Sequence, residues 1–373
     1  MEVSSMKKRI KKLLAVMLAG VMTVSIMTGC GSSSASGDSA SGSASSDELN
    51  IIIWDGTWSE DMFKDFTKET GIKVNISYIS NTDELLTKLV NGSVTYDVMD
   101  LEGAYVNTFI KNGLLTEIDD DKVPNQSNII DEYTSEGPIG DEDLKYTVPD
   151  MAPNYTTVVY NKKTCPVEIK SLKDLTNPKL KGRVALVDST ISLYGAALQC
   201  LGYKADSTDE NEIKKANDLL MKIKENTKAF VGETAVPQLE DGEVDAALCW
   251  DYPTLCGDSE DNWDKFGYVS LDGGVERWAQ YWAISSASKN KENAEKLINF
   301  VLKPEEYSKS LNEYAVPPLL KPDLIKKYLP DNYFDSPAMT KMTDDLFDNS
   351  WEASVSEEQI DIMDTYYTQL KGE

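Results

Sequence analysis

Trp54 and Trp250 each close a short apolar run, and each is followed at once by a carboxylate, Asp55 and Asp251. A third run, YDVMDL (96–101), leads into Glu102 and Tyr105. Trp278, Gln280 and Trp282 alternate, so a single strand through them carries all three on one face. Carboxylates neutralise ammonium groups, and aromatic faces cover methylenes and attract cations; together they are the chemistry of organic-cation recognition. Asp55 stands at the carboxyl end of its run, where open α/β sheets bind ligands. The chain has no histidine. A Ser-His-Asp triad, a zincin site and a histidine facial triad are therefore excluded. Acids are numerous enough to imagine the carboxylate pair of a glycoside hydrolase, but no motif fixes such a pair. No dinucleotide fingerprint or phosphate loop is present, and no cofactor is expected.

The elements that must position these residues follow a repeating pattern. LNIIIW (49–54) reads as a buried strand and SEDMFKDFTKET (59–70) as a helix, with Met62, Phe63 and Phe66 on one face, Ser59 as N-cap and Gly71 as its stop. IKVNISYI (72–79) alternates as a strand. Residues 82–90 then read as helix, 96–101 as strand and 105–113 as helix. Such β-α-β units imply an α/β domain with a mostly parallel sheet. Further strands are expected at 182–188, 244–250 and 278–286. Helices are expected at 193–201, 211–226, 291–302, 323–328 and 354–370.

The 373-residue chain carries 37 basic and 63 acidic residues, a net charge of −26. That balance argues against nucleic acid or anionic lipid as a partner, since both need a positive surface. It suits solubility and attracts a cationic solute. The basic residues include a cluster, Lys7, Lys8, Arg9, Lys11 and Lys12, that precedes the apolar run Leu13–Met27. This reads as an export signal, too short for a membrane-spanning helix. Translation starts at Met1 or at Met6. Residues 31–46, GSSSASGDSASGSASS, form a flexible spacer. Four cysteines remain beyond Cys30, too few and too scattered to form a scaffold. Cys249 and Cys256 either pair across a short turn or stay as buried thiols, and the state of Cys165 and Cys200 is open.

Met27-Thr28-Gly29-Cys30 resembles the lipobox of bacterial lipoproteins, which implies cleavage after residue 29 and lipidation of Cys30 on the extracytoplasmic face of the cell membrane. FTKETGIKV (66–74), YDV (96–98), LGY (201–203), DGEVDAALCW (241–250), KNKENAEKLINFVLKPE (289–305) and WEASVSEEQIDIMDTYYTQLKGE (351–373) resemble bacterial polyamine-binding proteins, the spermidine/putrescine receptors of ABC importers. The resemblance implies a type II-like periplasmic-binding-protein fold: two α/β lobes, joined by crossing strands, with solute in the cleft between them. It places the crossings near Tyr155–Asn161 and Gln280–Ser285. The first lobe would take 47–156 with 281–322, the second 157–280 with 323–373. It also implies a monomer that docks on permease subunits once closed around a polyamine-like cation.

By the same resemblance, Trp54, Trp250 and Trp278 form an aromatic framework around the ligand. Gln280 stands where the family has a key aspartate, and Ser189 and Ser192 where it often has carboxylates; Asp188 survives one place earlier. Glu102 and Glu352 bring carboxylates to positions where the family has neutral polar residues. Tyr105 adjoins Ala104, which replaces an aromatic. Tyr314 falls close to a ligand tyrosine, and Trp58 and Tyr194 are further candidates for the wall. The shifted acids favour a cation whose length or charge spacing differs from spermidine: a diamine, a quaternary amine or a thiamine-like cation. A surface sensory protein on the same fold, without transport, is the alternative role.

Overall fold

The computed structural model describes residues 47–79, 82–135, 137–232, 234–314, 316–339, 341–353 and 356–372. The export signal, Cys30 and the spacer lie outside them. Strands are numbered here in chain order. The first sheet holds β1 (Glu48–Trp54), β2 (Lys73–Ile79), β3 (Val98–Glu102), β4 (Leu115–Thr116), β5 (Thr147–Pro149) and β12 (Gln280–Ser285). Its order is β2-β1-β3-β12-β4, with β5 also on β12. The second sheet holds β6 (Asn154–Asn161), β7 (Val184–Val187), β8 (Thr227–Val231), β9 (Ala246–Cys249), β10 (Phe266–Val269), β11 (Val275–Trp278) and β13 (Ser350–Glu352). Its order is β13-β11-β6-β9-β7-β8, with β10 on β6.

Each sheet has a parallel heart, as the β-α-β pattern predicts. In the first, β1 lies between β2 and β3, both parallel to it. Leu49, Ile51 and Ile53 point to one apolar cluster and Ile52 to another, so β1 is covered on both faces and reads as a continuous apolar run. Helix Glu60–Thr70 buries Met62, Phe63 and Phe66 over that sheet, and Gly71 closes it in the left-handed region at φ 78°. Ser59 takes the N-cap position without a capping hydrogen bond; its N–H donates instead to Ser310 Oγ. In the second sheet β7 lies between β8 and β9, again parallel, and its four residues are all buried.

The chain passes between the sheets three times. The first passage is Asp150–Pro153, between β5 and β6, so Tyr155–Asn161 already lies wholly in the second sheet. The second is a single residue, Ala279: β11 pairs with β6 and β13, and β12 with β3, β4 and β5. The segment 278–286, expected as one strand, is thus divided between two sheets. The chain then builds helices Lys291–Val301 and Pro304–Tyr314 on the first lobe and bridges Leu320 to Ile129. It reaches the second lobe again near Asn332, whose amide donates to Glu260. Helix Glu357–Lys371 closes the chain against helices Thr190–Cys200 and Glu210–Lys224. Cys165, Cys200, Cys249 and Cys256 are all free thiols.

Candidate functional site

The second lobe presents two tryptophans side by side. Trp250 follows β9 and Trp278 ends β11; their rings meet edge to face, 6.4 Å apart at 81°. The Trp278 indole N–H is buried with no hydrogen-bond partner. Asp251 does not join them. It is buried and its carboxylate accepts the Ala235 N–H at 2.9 Å, fastening the 234–236 turn to the end of β9. Burial pushes its pKa up, against the hydrogen bonds from Ala235 and Thr234.

Ser189 and Ser192 open helix Thr190–Cys200: the Ser189 hydroxyl accepts the Ser192 N–H at 3.3 Å and caps the helix. Asp188 turns away to the last helix, bound to Tyr367 and Lys371. Tyr194 is buried and donates to Asn217 at 2.9 Å, so it packs beneath the wall. The carboxylate beside Ser192 is one that the sequence reading missed. Glu276 on β11 is 4 % exposed, opposite Thr156 on one side and Trp351 on the other. Burial pushes its pKa up, while Ser192 and Thr156 act to lower it. Its Oε2 and the Thr156 hydroxyl have no partner. The signal was the spacing: Glu276 and Trp278 alternate on one strand face.

In the first lobe Trp54 is half-buried against a cluster that contains Tyr105 and Tyr281, and its indole N–H has no partner. Tyr105 is buried in that cluster. Glu102 ends β3 opposite Gln280 and accepts the Thr82 hydroxyl at 3.2 Å. Asp55 is exposed and lies with Tyr314 in a hollow of about 220 Å³, shared with Gly56, Tyr78 and Glu313 and lined by the first lobe alone. Burial pushes the Tyr314 hydroxyl up to about 12. Trp58 belongs to the core: its indole donates to Asp100 at 2.9 Å and its ring lies 4.8 Å from that of Trp282.

Gln280 opens β12 in the first sheet, so it shares a lobe with Glu102 and not with Trp278. Its side chain is 5 % exposed and its amide oxygen has no donor. Glu352, on β13, lies across the lobe boundary: a Cβ on Gly103 would stand 3.1 Å from its Oε1. It also pairs with Arg277 at 3.8 Å, and the Arg277 guanidinium stacks 4.6 Å from the Phe347 ring. Arg277, Phe347 and Glu352 share a hollow of about 90 Å³ with Tyr133, Tyr281 and the crossing residues Pro153 and Ala279. Arg277 and Glu276 are neighbours on one strand, so this hollow lies on the opposite strand face from Glu276 and Trp278.

Residues 61–323 match the family model described as bacterial extracellular solute-binding protein. The chain is 27% identical over 334 residues to a spermidine/putrescine-binding periplasmic protein of Haemophilus influenzae, covering 88% of this chain and 90% of that one. It is 29% identical over 341 residues to the spermidine/putrescine-binding periplasmic protein of Salmonella typhimurium, covering 88% and 93%. Among solved structures, the fold matches a spermidine/putrescine ABC transporter substrate-binding protein from Streptococcus pneumoniae with a TM-score of 0.73, at 22% identity, over 88% of this chain and 99% of that one.

Proposed function

The chain belongs to the bacterial extracellular solute-binding protein family, and we propose that it is an extracytoplasmic receptor that captures a polyamine or a related organic cation for an ABC importer. The observation that carries this reading is the edge-to-face pair Trp250 and Trp278, on a strand face shared with the buried carboxylate Glu276. Glu102 adds a carboxylate from the first lobe, while Glu352, paired with Arg277, approaches the lobe boundary on the other face of β11. Such a site gives an alkylammonium chain its aromatic cover and its counter-charges. The two relatives, by their names, bind spermidine and putrescine. The lobes close on the solute as a monomer, and the closed form docks on permease subunits. Cys30 carries the lipid anchor and residues 31–46 the tether. The protein's task is capture, not turnover.

A second reading within the same class rests on Gln280, which brings no charge to the crossing: a quaternary amine or thiamine-like cation has diffuse charge and needs fewer carboxylates. Titration calorimetry and thermal shift on the purified protein decide between them. Putrescine, cadaverine or spermidine should bind, and a ligand at a hundred times its Kd should add about 2.7 kcal/mol to stability. Silence from all of these, with a quaternary or aromatic cation bound tightly, would transfer the assignment to the second reading. Recovery of a converted product would make the protein an enzyme.

A further inference from the structure

Asp150 is the first residue after β5, and its N–H donates to the Gln280 carbonyl at 3.1 Å. This continues the β5–β12 pairing by one residue, so Asp150 stands opposite Gln280. On the other edge of β12, Asp100 of β3 stands opposite Trp282. Opposed residues on antiparallel strands share a face, so Asp100, Asp150, Gln280 and Trp282 lie on the same side of the first sheet. Both aspartates are wholly buried, at 0 % exposure. Their carboxyl groups are close enough to act on each other's protonation, and Asp100 Oδ2 accepts the Trp58 indole N–H at 2.9 Å and the Trp54 N–H at 3.5 Å. Asp100 Oδ1, both Asp150 oxygens and the Gln280 amide oxygen have no hydrogen-bond partner from the rest of the protein.

Acceptor oxygens gathered on one buried sheet face, with no donor beyond the one proton the two acids hold between them, are costly to bury and need a donor-rich occupant. An ammonium group offers three N–H donors and a positive charge. We propose that Asp100, Asp150 and Gln280 form a recessed ammonium-accepting subsite in the floor of the first lobe, which takes one amine of the captured cation. The proposal rests on the reading of the protein as a cation receptor. It relocates the counter-charge that position 280 lacks to the two strands that flank Gln280. Gln280 is the member that keeps some solvent contact, and the amine enters past it.

Without ligand the two acids share a proton. Burial, and the charge of Asp100 beside it, hold Asp150 well above the usual carboxylate range, and burial raises Asp100 to about 6. The other neighbours acting on the pair are the Trp58 and Trp54 N–H groups and the phenols of Tyr307 and Tyr281. The Tyr307 hydroxyl donates to the Asp150 carbonyl at 3.1 Å. Both phenols are pushed up by burial and stay neutral, so neither supplies a counter-charge. An entering R–NH₃⁺ keeps all its protons and replaces the shared one, which leaves to solvent, so both carboxylates end ionised.

Calorimetry of the intact protein with putrescine and with spermidine at pH 7, in two buffers of different ionisation enthalpy, tests this. The native protein should release about one proton per ligand bound. Asp150→Asn and Asp100→Asn should each weaken binding roughly tenfold or more and abolish the release. The proton release of the native protein needs no variant, so a failure of either variant to fold does not remove the test. Amine binding without proton release, or variants that bind with native affinity, would overturn the subsite while leaving the receptor reading intact. Absence of binding by any amine to the native protein would overturn both.

Discussion

Trp250 and Asp251 are neighbours in sequence with different surroundings, and the difference can be measured. Trp250→Leu removes an edge-to-face partner and, on the proposed reading, a ring over the cation, each worth about 0.5–1.5 kcal/mol. Amine affinity should fall about tenfold, and the melting temperature of the ligand-free protein should fall less than in the Asp251 variant. Asp251→Ala instead leaves the buried Ala235 N–H without an acceptor, at a cost of about 1–3 kcal/mol. Its melting temperature should drop clearly, and the affinity of the folded fraction should change much less. Equal loss of affinity in both would place Asp251 at the ligand. The tryptophans were legible because an aromatic at the end of an apolar run has a position fixed by the strand. Whether Asp251 faces a cleft or turns back to the 234–236 loop depends on a partner sixteen residues away, which no local pattern encodes. Glu276 and Asp100 were hidden for a related reason: inside apolar strands, a buried acid looks like a break in the pattern.

At the scale of elements, the alternation Trp278, Gln280, Trp282 shows how a regular period can hide a change of sheet. Across Ala279 the chain's hydrogen-bonded neighbours change from β6 and β13 to β3, β4 and β5. Period two assigns a face only within one sheet, so the pattern carried the strands and missed the crossing. The strands themselves were plain, and one strap holds two of them in register. Arg183 and Asp245 directly precede β7 and β9; Nε meets Oδ2 and Nη2 meets Oδ1, both at 2.8 Å, and the Asp245 N–H donates to the Arg183 carbonyl at 2.8 Å. The hydrogen bond from Arg183 holds Asp245 below the usual carboxylate range. A depressed acid contributes its stability above its unfolded pKa, and that stability is lost as pH falls through the folded value. The guanidinium side chain is 37% exposed, which weakens the pair. Asp245→Asn should therefore cost on the order of 2 kcal/mol at pH 7. The difference from the native protein should shrink below pH 4 in denaturant titrations. A gap that persists in acid would show that shape, not charge, holds the strap.

At the scale of the whole molecule, charge and topology act on the same step. The chain carries a net charge of −26, and three passages between sheets leave a boundary that Glu102 and Glu352 approach from opposite lobes. Among the described residues no helix is long and apolar enough to cross a membrane. A field of one sign over a concave boundary raises the local concentration of an opposite charge, and salt screens it over about 10 Å at 0.1 M. Contacts at short range inside a closed site are screened far less. The two effects separate in kinetics. Association of spermidine, followed by tryptophan fluorescence in a stopped-flow instrument, should slow several-fold as salt rises from about 0.01 to 0.3 M, and dissociation should change little. Putrescine, with fewer charges, should show a shallower dependence. If association were flat with salt while dissociation accelerated, the surface acids would serve solubility alone, and the cation would be held by a few exposed pairs at the boundary in place of the face that carries the half-buried tryptophans and Glu276.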